Sequence, residues 1–304
     1  MRVSVIIPSR TERFLPETVK DVLAKARGDI EVIPVMEDYL PEHEALLATN
    51  DPRLKVIRHP GHHTGMRNSI NEGVAAATGE FIMKLDAHCM MQEGFDVDLA
   101  ASCEERDIVI PRRFSLDPEN WCVREGRPAI DYEFISFPYT DAFRTVRHGN
   151  KWYERAEARK DIPFDENMAF QGSCYFMRKS NFDWLGGLQT EGYESIILES
   201  EELGNKNWLT GGRTMTNKMV WYAHLHKGKQ YGRMYFINKW EMRRGRKFHI
   251  DMWMHDKWPR AERKFDWLVA RFWPVPTWPE DWKDPKYEAA YLEAIGSNVN
   301  RPQV

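Results

Sequence analysis

Asp86-Ala87-His88 is a stretch of this chain whose residue types and spacing can do chemistry. It closes the run Phe81-Ile82-Met83-Lys84-Leu85, and at the end of a pleated strand residues i and i+2 face the same side. A carboxylate and an imidazole on one side suit Mn²⁺ or a similar divalent ion and leave positions for phosphate oxygens. An ordinary polar strand end would read the same way, because a bare D-x-H recurs by chance. A second candidate is electrostatic. From Lys227 to Arg271 the chain carries 13 Lys/Arg against 5 Asp/Glu and elsewhere 30 against 41, so a net charge of −3 conceals a basic segment on an acidic body. Such a segment suits an anionic ligand, a phosphate or a nucleic acid, and a solvated helix face gives the same count. Seven of the twelve tryptophans gather there too, from Trp240 to Trp282. Their rings suit stacking on sugars or bases, and equally a core.

The elements that must position these groups follow from periodicity. Short runs rich in Val and Ile at Arg2–Pro8, Glu31–Met36, Leu54–Arg58 and Glu80–Leu85 read as strands. Pro16–Arg27 and Met66–Ala77 lie between them with apolar residues at helical spacing, and Pro16 suits a first turn. Strands separated by helices imply an α/β fold with a mostly parallel, doubly wound sheet. Ligands on such sheets bind beyond the carboxyl ends of the strands. Those ends are Pro8-Ser9-Arg10, Glu37-Asp38, His59-Pro60-Gly61 and Asp86-Ala87-His88. Asp107–Pro111 reads as a fifth strand, and residues 112–160 as a long excursion over the sheet. Met168–Met177 and Thr214–Tyr222 are strand-like, Glu199–Leu209 helical, and a further helical stretch runs from His224 to about Arg246.

Composition bounds the class. At 304 residues, 42% hydrophobic and 29% charged, the chain can bury a core and is not intrinsically disordered. The longest apolar runs fall short of the roughly 18–20 residues of a membrane span. The start reads as a buried strand and not as a signal peptide, and Cys89, Cys103, Cys122 and Cys174 have no C-x-x-C spacing. A cytoplasmic protein with free thiols is the expectation.

The run Thr64-Gly65-Met66-Arg67-Asn68 … Ala77-Thr78-Gly79-Glu80-Phe81-Ile82 … Asp86-Ala87-His88-Cys89 resembles the nucleotide-sugar-binding half of GT-A glycosyltransferases of family 2. Its Asp-Ala-His-Cys segment is similar to the metal motif of polypeptide N-acetylgalactosaminyltransferases. Met168–Ser173 resembles the small-residue strand lining their sugar pocket. Glu199, Trp208 and Gly211-Gly212 match the spacing of their catalytic helix, and His224 follows twelve residues later, where those enzymes keep a third metal ligand. The resemblance covers Arg2 to Lys227. It implies a GT-A catalytic domain over 1–226 (nucleotide-binding half 1–111, acceptor and catalytic half 112–226), with 227–304 a helical, Trp-rich extension.

The resemblance further implies a hexosyltransferase using a UDP-sugar, with UDP-glucose the first donor and UDP-N-acetylgalactosamine the next. Mn²⁺ or Mg²⁺ would sit on Asp86, His88 and His224. Pro8, Ser9 and Arg10 would wall the uracil, Glu37 or Asp38 would bond base or ribose, and Arg67 would lie beside uracil or diphosphate. Lys227 and Lys229, with Arg233 and the cluster Arg243 to Lys247 behind them, would close over the diphosphate, the cluster reading equally as a solvated helix end. Glu199 and Glu201 are the candidate carboxylates near the anomeric carbon. Glu202 and Lys206, at i,i+4, read as a surface salt bridge. Family 2 inverters usually present Glu-Asp where this chain has Glu199-Ser200, which leaves the base open between Glu201 and a donor phosphate oxygen; the metal motif and helix spacing, both similar to the retaining family, favour retention. His226 shares strand alternation with His224; His62 and His63 read as loop, and His249 as structural.

Two other classes compete. A nucleotidyltransferase on a similar sheet would want a Gly-rich phosphate loop, and Arg10–Pro16 contains no glycine. A noncatalytic carbohydrate- or nucleic-acid-binding protein would use the basic tail and would not need Asp86, His88 and His224. The acceptor is left open between a sugar, a glycan and modified DNA.

Overall fold

The computed structural model describes residues 1–38, 40–59, 61, 64–137, 150–193, 198–228, 230–232 and 238–290. His62, His63, Lys229, Arg233 and the Arg243 side chain lie outside the described residues. The chain begins β1 (Arg2–Ser9), α1 (Leu15–Lys25), β2 (Asp29–Met36), a 3-10 turn at Pro41–His43, α2 (Glu44–Leu47) and β3 (Ile57–Arg58). It continues α3 (Met66–Ala76), β4 (Phe81–Leu85), β5 (Cys89–Met91), α4 (Phe95–Ser102) and β6 (Asp107–Asp117). Short pieces follow: β7 (Cys122–Val123), β8 (Glu133–Phe134), β9 (Asn150–Lys151), α5 (Tyr153–Ala158) and β10 (Phe164–Glu166). The last elements are β11 (Cys174–Arg178), α6 (Lys179–Trp184), α7 (Glu199–Leu209), β12 (Arg213–His224), α8 (Lys239–Met254) and α9 (Phe265–Arg271).

The main sheet runs β10-β12-β6-β11-β4-β1-β2-β3. β3, β2, β1 and β4 are parallel neighbours, as expected. β11 then enters antiparallel between β4 and β6, and β12 lies parallel to β6. Strand alternation divides the core. Val3, Val5 and Ile7 of β1 pack with Leu15, Val19 and Val22 of α1, while Ile6 packs with Ile70 and Val74 of α3 on the other face. β5 matters most for the site. It pairs antiparallel with the end of β12, His224 opposite Cys89, and so brings residues 136 apart in sequence, His88 and His224, together.

Several element boundaries differ from the sequence reading, and β6 runs on to Asp117, six residues into the stretch read as an excursion. The strand at Leu54–Arg58 shortens to Ile57–Arg58, with Leu54 making one isolated bridge to Val32. The strand-like Met168–Met177 begins at Cys174, because residues 171–173 form the wall of a cavity. The helix placed directly after His224 starts at Lys239. Asn238 caps it, its side-chain oxygen accepting from Trp240 N at 2.9 Å, the N-cap role that asparagine commonly fills, while its amide donates to Glu241 Oε1 at 3.1 Å.

The extension is not a separate layer. Ile250, Trp253, Trp258, Leu268 and Trp278 are buried in the same apolar cluster as Ile6, Leu203 and Trp208. Trp208 of α7 meets Phe272 edge to face at 5.5 Å, and the Arg271 guanidinium lies over its ring. No described helix is long and apolar enough to cross a membrane.

Candidate active site

A cavity of about 680 Å³ opens at the carboxyl ends of β1, β2 and β4, where parallel sheets place their ligands. Pro8, Ser9 and Arg10 line it from the β1 turn, Glu37 from the end of β2, Asp86 and His88 from beyond β4, and His224, His226 and Lys227 from beyond β12. Gln171, Gly172, Ser173 and Glu199 close the remaining side.

Asp86, His88 and His224 converge in one corner, with ligand atoms all within 4.8 Å of one another. The two imidazole Nε2 atoms are 3.1 Å apart, and Asp86 Oδ2 lies 3.3 Å from His224 Nε2 and 3.8 Å from His88 Nε2. Two donors about 2.1 Å from one octahedral ion stand about 3.0 Å apart, so this spacing fits a divalent cation. The donor set, two imidazoles and one carboxylate, suits Mn²⁺ or a related metal with positions to spare.

Buried charges around the corner are balanced. Burial alone would raise the Asp86 carboxyl, but the Lys84 ammonium, with His224 and His88, holds it well below the usual carboxylate range. Burial pushes His224 down to about 3, His88 and His226 adding to the effect and Asp86 opposing it, so its imidazole is neutral and ready to ligate. Glu12 Oε2 faces His88 Nδ1 at 3.3 Å, an arrangement that orients a histidine and leaves Nε2 for a metal. Burial would raise Glu12; His88 and Lys227 outweigh it, and its pKa is lowered. His226 stands edge-on to His224 with ring centroids 4.9 Å apart.

Not every anticipated residue reaches the cavity. Glu37 lines it and Asp38 does not; the Asp38 carboxylate accepts from Gly61 N at 3.2 Å. Arg67 lies away from the lining, buried, ion-paired to Glu202 and stacked 3.9 Å from the centre of the Tyr193 ring. Its partner corrects a second expectation. Glu202 and Lys206 form a 2.7 Å pair with side chains 1% and 5% exposed, not a surface bridge. The cause is that α7 lies between β12 and β6 of the sheet and α9 of the extension, so that every residue of the helix is buried. Glu199 lines the cavity, whereas Glu201 is directed into the protein and accepts from Ser200 Oγ at 3.0 Å. Lys227 lines the cavity, ion-paired to Glu12. Sequence reasoning passed over Glu12 and Lys84. Glu12 sits in a loop without a motif, but a lysine inside the apolar run of β4 was a visible signal.

The family model described as glycosyl transferase family 2 matches residues 4–186. No curated protein matches the chain. Among solved structures, one of GalNAc-T7 with UDP, GalNAc and Mn²⁺ superposes with a TM-score of 0.65 at 16% identity, covering 89% of this chain. The chain spans only 56% of that protein's length. A structure of S. aureus TarS 1-349 in complex with UDP-GlcNAc superposes at 0.62 with 14% identity, covering 98% of this chain and 81% of that one. At such identities the likeness bears on the fold, a GT-A type α/β arrangement.

Proposed function

The chain belongs to glycosyl transferase family 2, and on that premise we propose that it transfers a hexose from a UDP-sugar, with Mn²⁺ or Mg²⁺ held by Asp86, His88 and His224. The convergence of these three side chains inside the cavity at the strand ends carries the reading. When bound, the ion would offset the charge growing on the departing diphosphate, an effect worth several kcal/mol.

The chain's own residues supply the rest. Ser9 Oγ is buried without a hydrogen-bond partner among the described residues, so it is available to the nucleotide. Pro8 and Arg10 flank it as walls for the base. Lys227 would exchange Glu12 for a phosphate oxygen and so draw the segment after β12 toward the donor. Glu199 lines the cavity, which supports its assignment as the carboxylate beside the anomeric carbon. With Glu201 turned inward, no second acid of α7 stands in the cavity to act as base. That supports retention, with a donor phosphate oxygen taking the acceptor's proton. The complexes of GalNAc-T7 with UDP and of TarS with UDP-GlcNAc support UDP as the carrier. UDP-glucose remains the first donor to try, then UDP-N-acetylgalactosamine and UDP-GlcNAc. The acceptor would approach past residues 112–160 and the segment after Lys227, and sugars, glycans and modified DNA are the classes to test. A protein that only stacks ligands on the tail's rings has fewer rings to use, because Trp253, Trp258 and Trp278 are core residues and only Trp240 and Trp273 of the tail are exposed among the described residues.

The test is UDP release from a panel of UDP-sugars without acceptor, in Mn²⁺ and in EDTA. Metal-dependent hydrolysis of one sugar is expected. No release and no UDP binding would defeat the reading.

A further inference from the structure

Lys84 takes no part in the reaction described above. It is 1% exposed in the middle of the sheet, and its Nζ donates to Asp86 Oδ1 and to the Gly172 carbonyl. Residues 84 and 86 share a strand face, which is why the ammonium meets that carboxylate. Asp86 thus gives Oδ1 to the lysine and turns Oδ2 toward the two imidazoles. Gly172 links the same ammonium to Glu199, whose carboxylate packs so closely on the glycine that a Cβ there would collide with it.

We propose that Lys84 is a built-in counter-ion for Asp86, keeping the carboxylate paired while the metal is away and competing with the metal when it arrives. The proposal rests on the metal site put forward above. Two effects of Lys84 oppose each other. It orients Oδ2, and losing an orienting partner typically weakens metal binding roughly 10–100-fold. It also sets a positive charge beside the carboxylate that would hold the ion, and across a few ångströms at an effective dielectric near 20 repulsion of a divalent cation weakens binding by roughly 10⁴-fold or more. The Asp86 side chain is 25% exposed, which screens part of the repulsion. Charge still exceeds orientation, so the lysine lowers cation affinity and lets the protein fold without the ion.

Lys84→Met, of similar length and without charge, tests this in the full-length protein. Free Mn²⁺ is titrated by electron paramagnetic resonance with no nucleotide present. The variant is expected to bind Mn²⁺ at least tenfold more tightly than the wild type, and Mn²⁺ is expected to raise its Tm by more. Equal or weaker binding by Lys84→Met, with the wild type binding, overturns the counter-ion role and leaves the metal site standing. Absence of binding by both proteins overturns the metal site and this proposal with it. Should the methionine variant not fold, Lys84→Gln carries the same comparison. If neither folds even with Mn²⁺, Lys84 is a folding residue and the proposal fails.

Discussion

Helix α7 and the cavity corner beside it bury comparable charge and settle it in opposite ways. On the helix, Glu202 is saturated: it is paired with Arg67, bonded to Lys206 at 2.7 Å, and accepts from Gln189 N at 2.9 Å. In the corner, two imidazole nitrogens and a carboxylate oxygen converge on one another, while the other oxygen of Asp86 is paired with Lys84. A buried charge that serves stability is surrounded by partners, since an unpaired one is costly. Lone pairs gathered on one point have a use only when something electrophilic joins them. The contrast separates structural from functional burial.

The comparison is broken most sharply at Asp86. Asp86→Asn should lower metal-dependent UDP release by at least about 100-fold, measured as initial rates with saturating Mn²⁺. Undiminished release would make the corner a mere polar strand end. Next comes Glu202→Gln, which leaves Arg67 and Lys206 as buried cations without their carboxylate. It should cost about 3–5 kcal/mol in urea unfolding; a loss below about 1 kcal/mol would put this pair on a level with exposed ones. The smallest effect concerns acid. His224 is neutral when folded, its pKa held down to about 3 by burial, and takes up a proton on unfolding below its ordinary value of 6.5. Its contribution is therefore complete above about pH 6.5 and is lost as pH falls toward 3. Metal-free wild type should lose Tm faster between pH 7 and 4 than His224→Asn does. Parallel curves would mean that His224 is not buried as described.

Much of this was legible in the chain. The span Glu199–Leu209 was read as helix from its own periodicity, and Asp86 and His88 from their place at a strand end. What local pattern could not convey was pairing across the fold. Arg67 and Glu202 are 135 residues apart, and their encounter depends on α3 and α7 lying on the same face of the sheet. Glu12 belongs to a loop, and its link to His88 and Lys227 exists only because β5 hooks onto β12. The tail's tryptophans were ambiguous because composition does not reveal which side of a helix is covered.

That tail has a consequence for how such a chain can be altered. Gly245 of α8 packs against the Tyr193 backbone with no room for a side chain, and Tyr193 in turn supports the Arg67 guanidinium. Cutting after residue 226 would uncover the face of α7 that meets α9, where Trp208 packs on Trp267 and Phe272, and turn it into a sticky surface. The extension thus behaves as an inseparable lining and not as an interchangeable module.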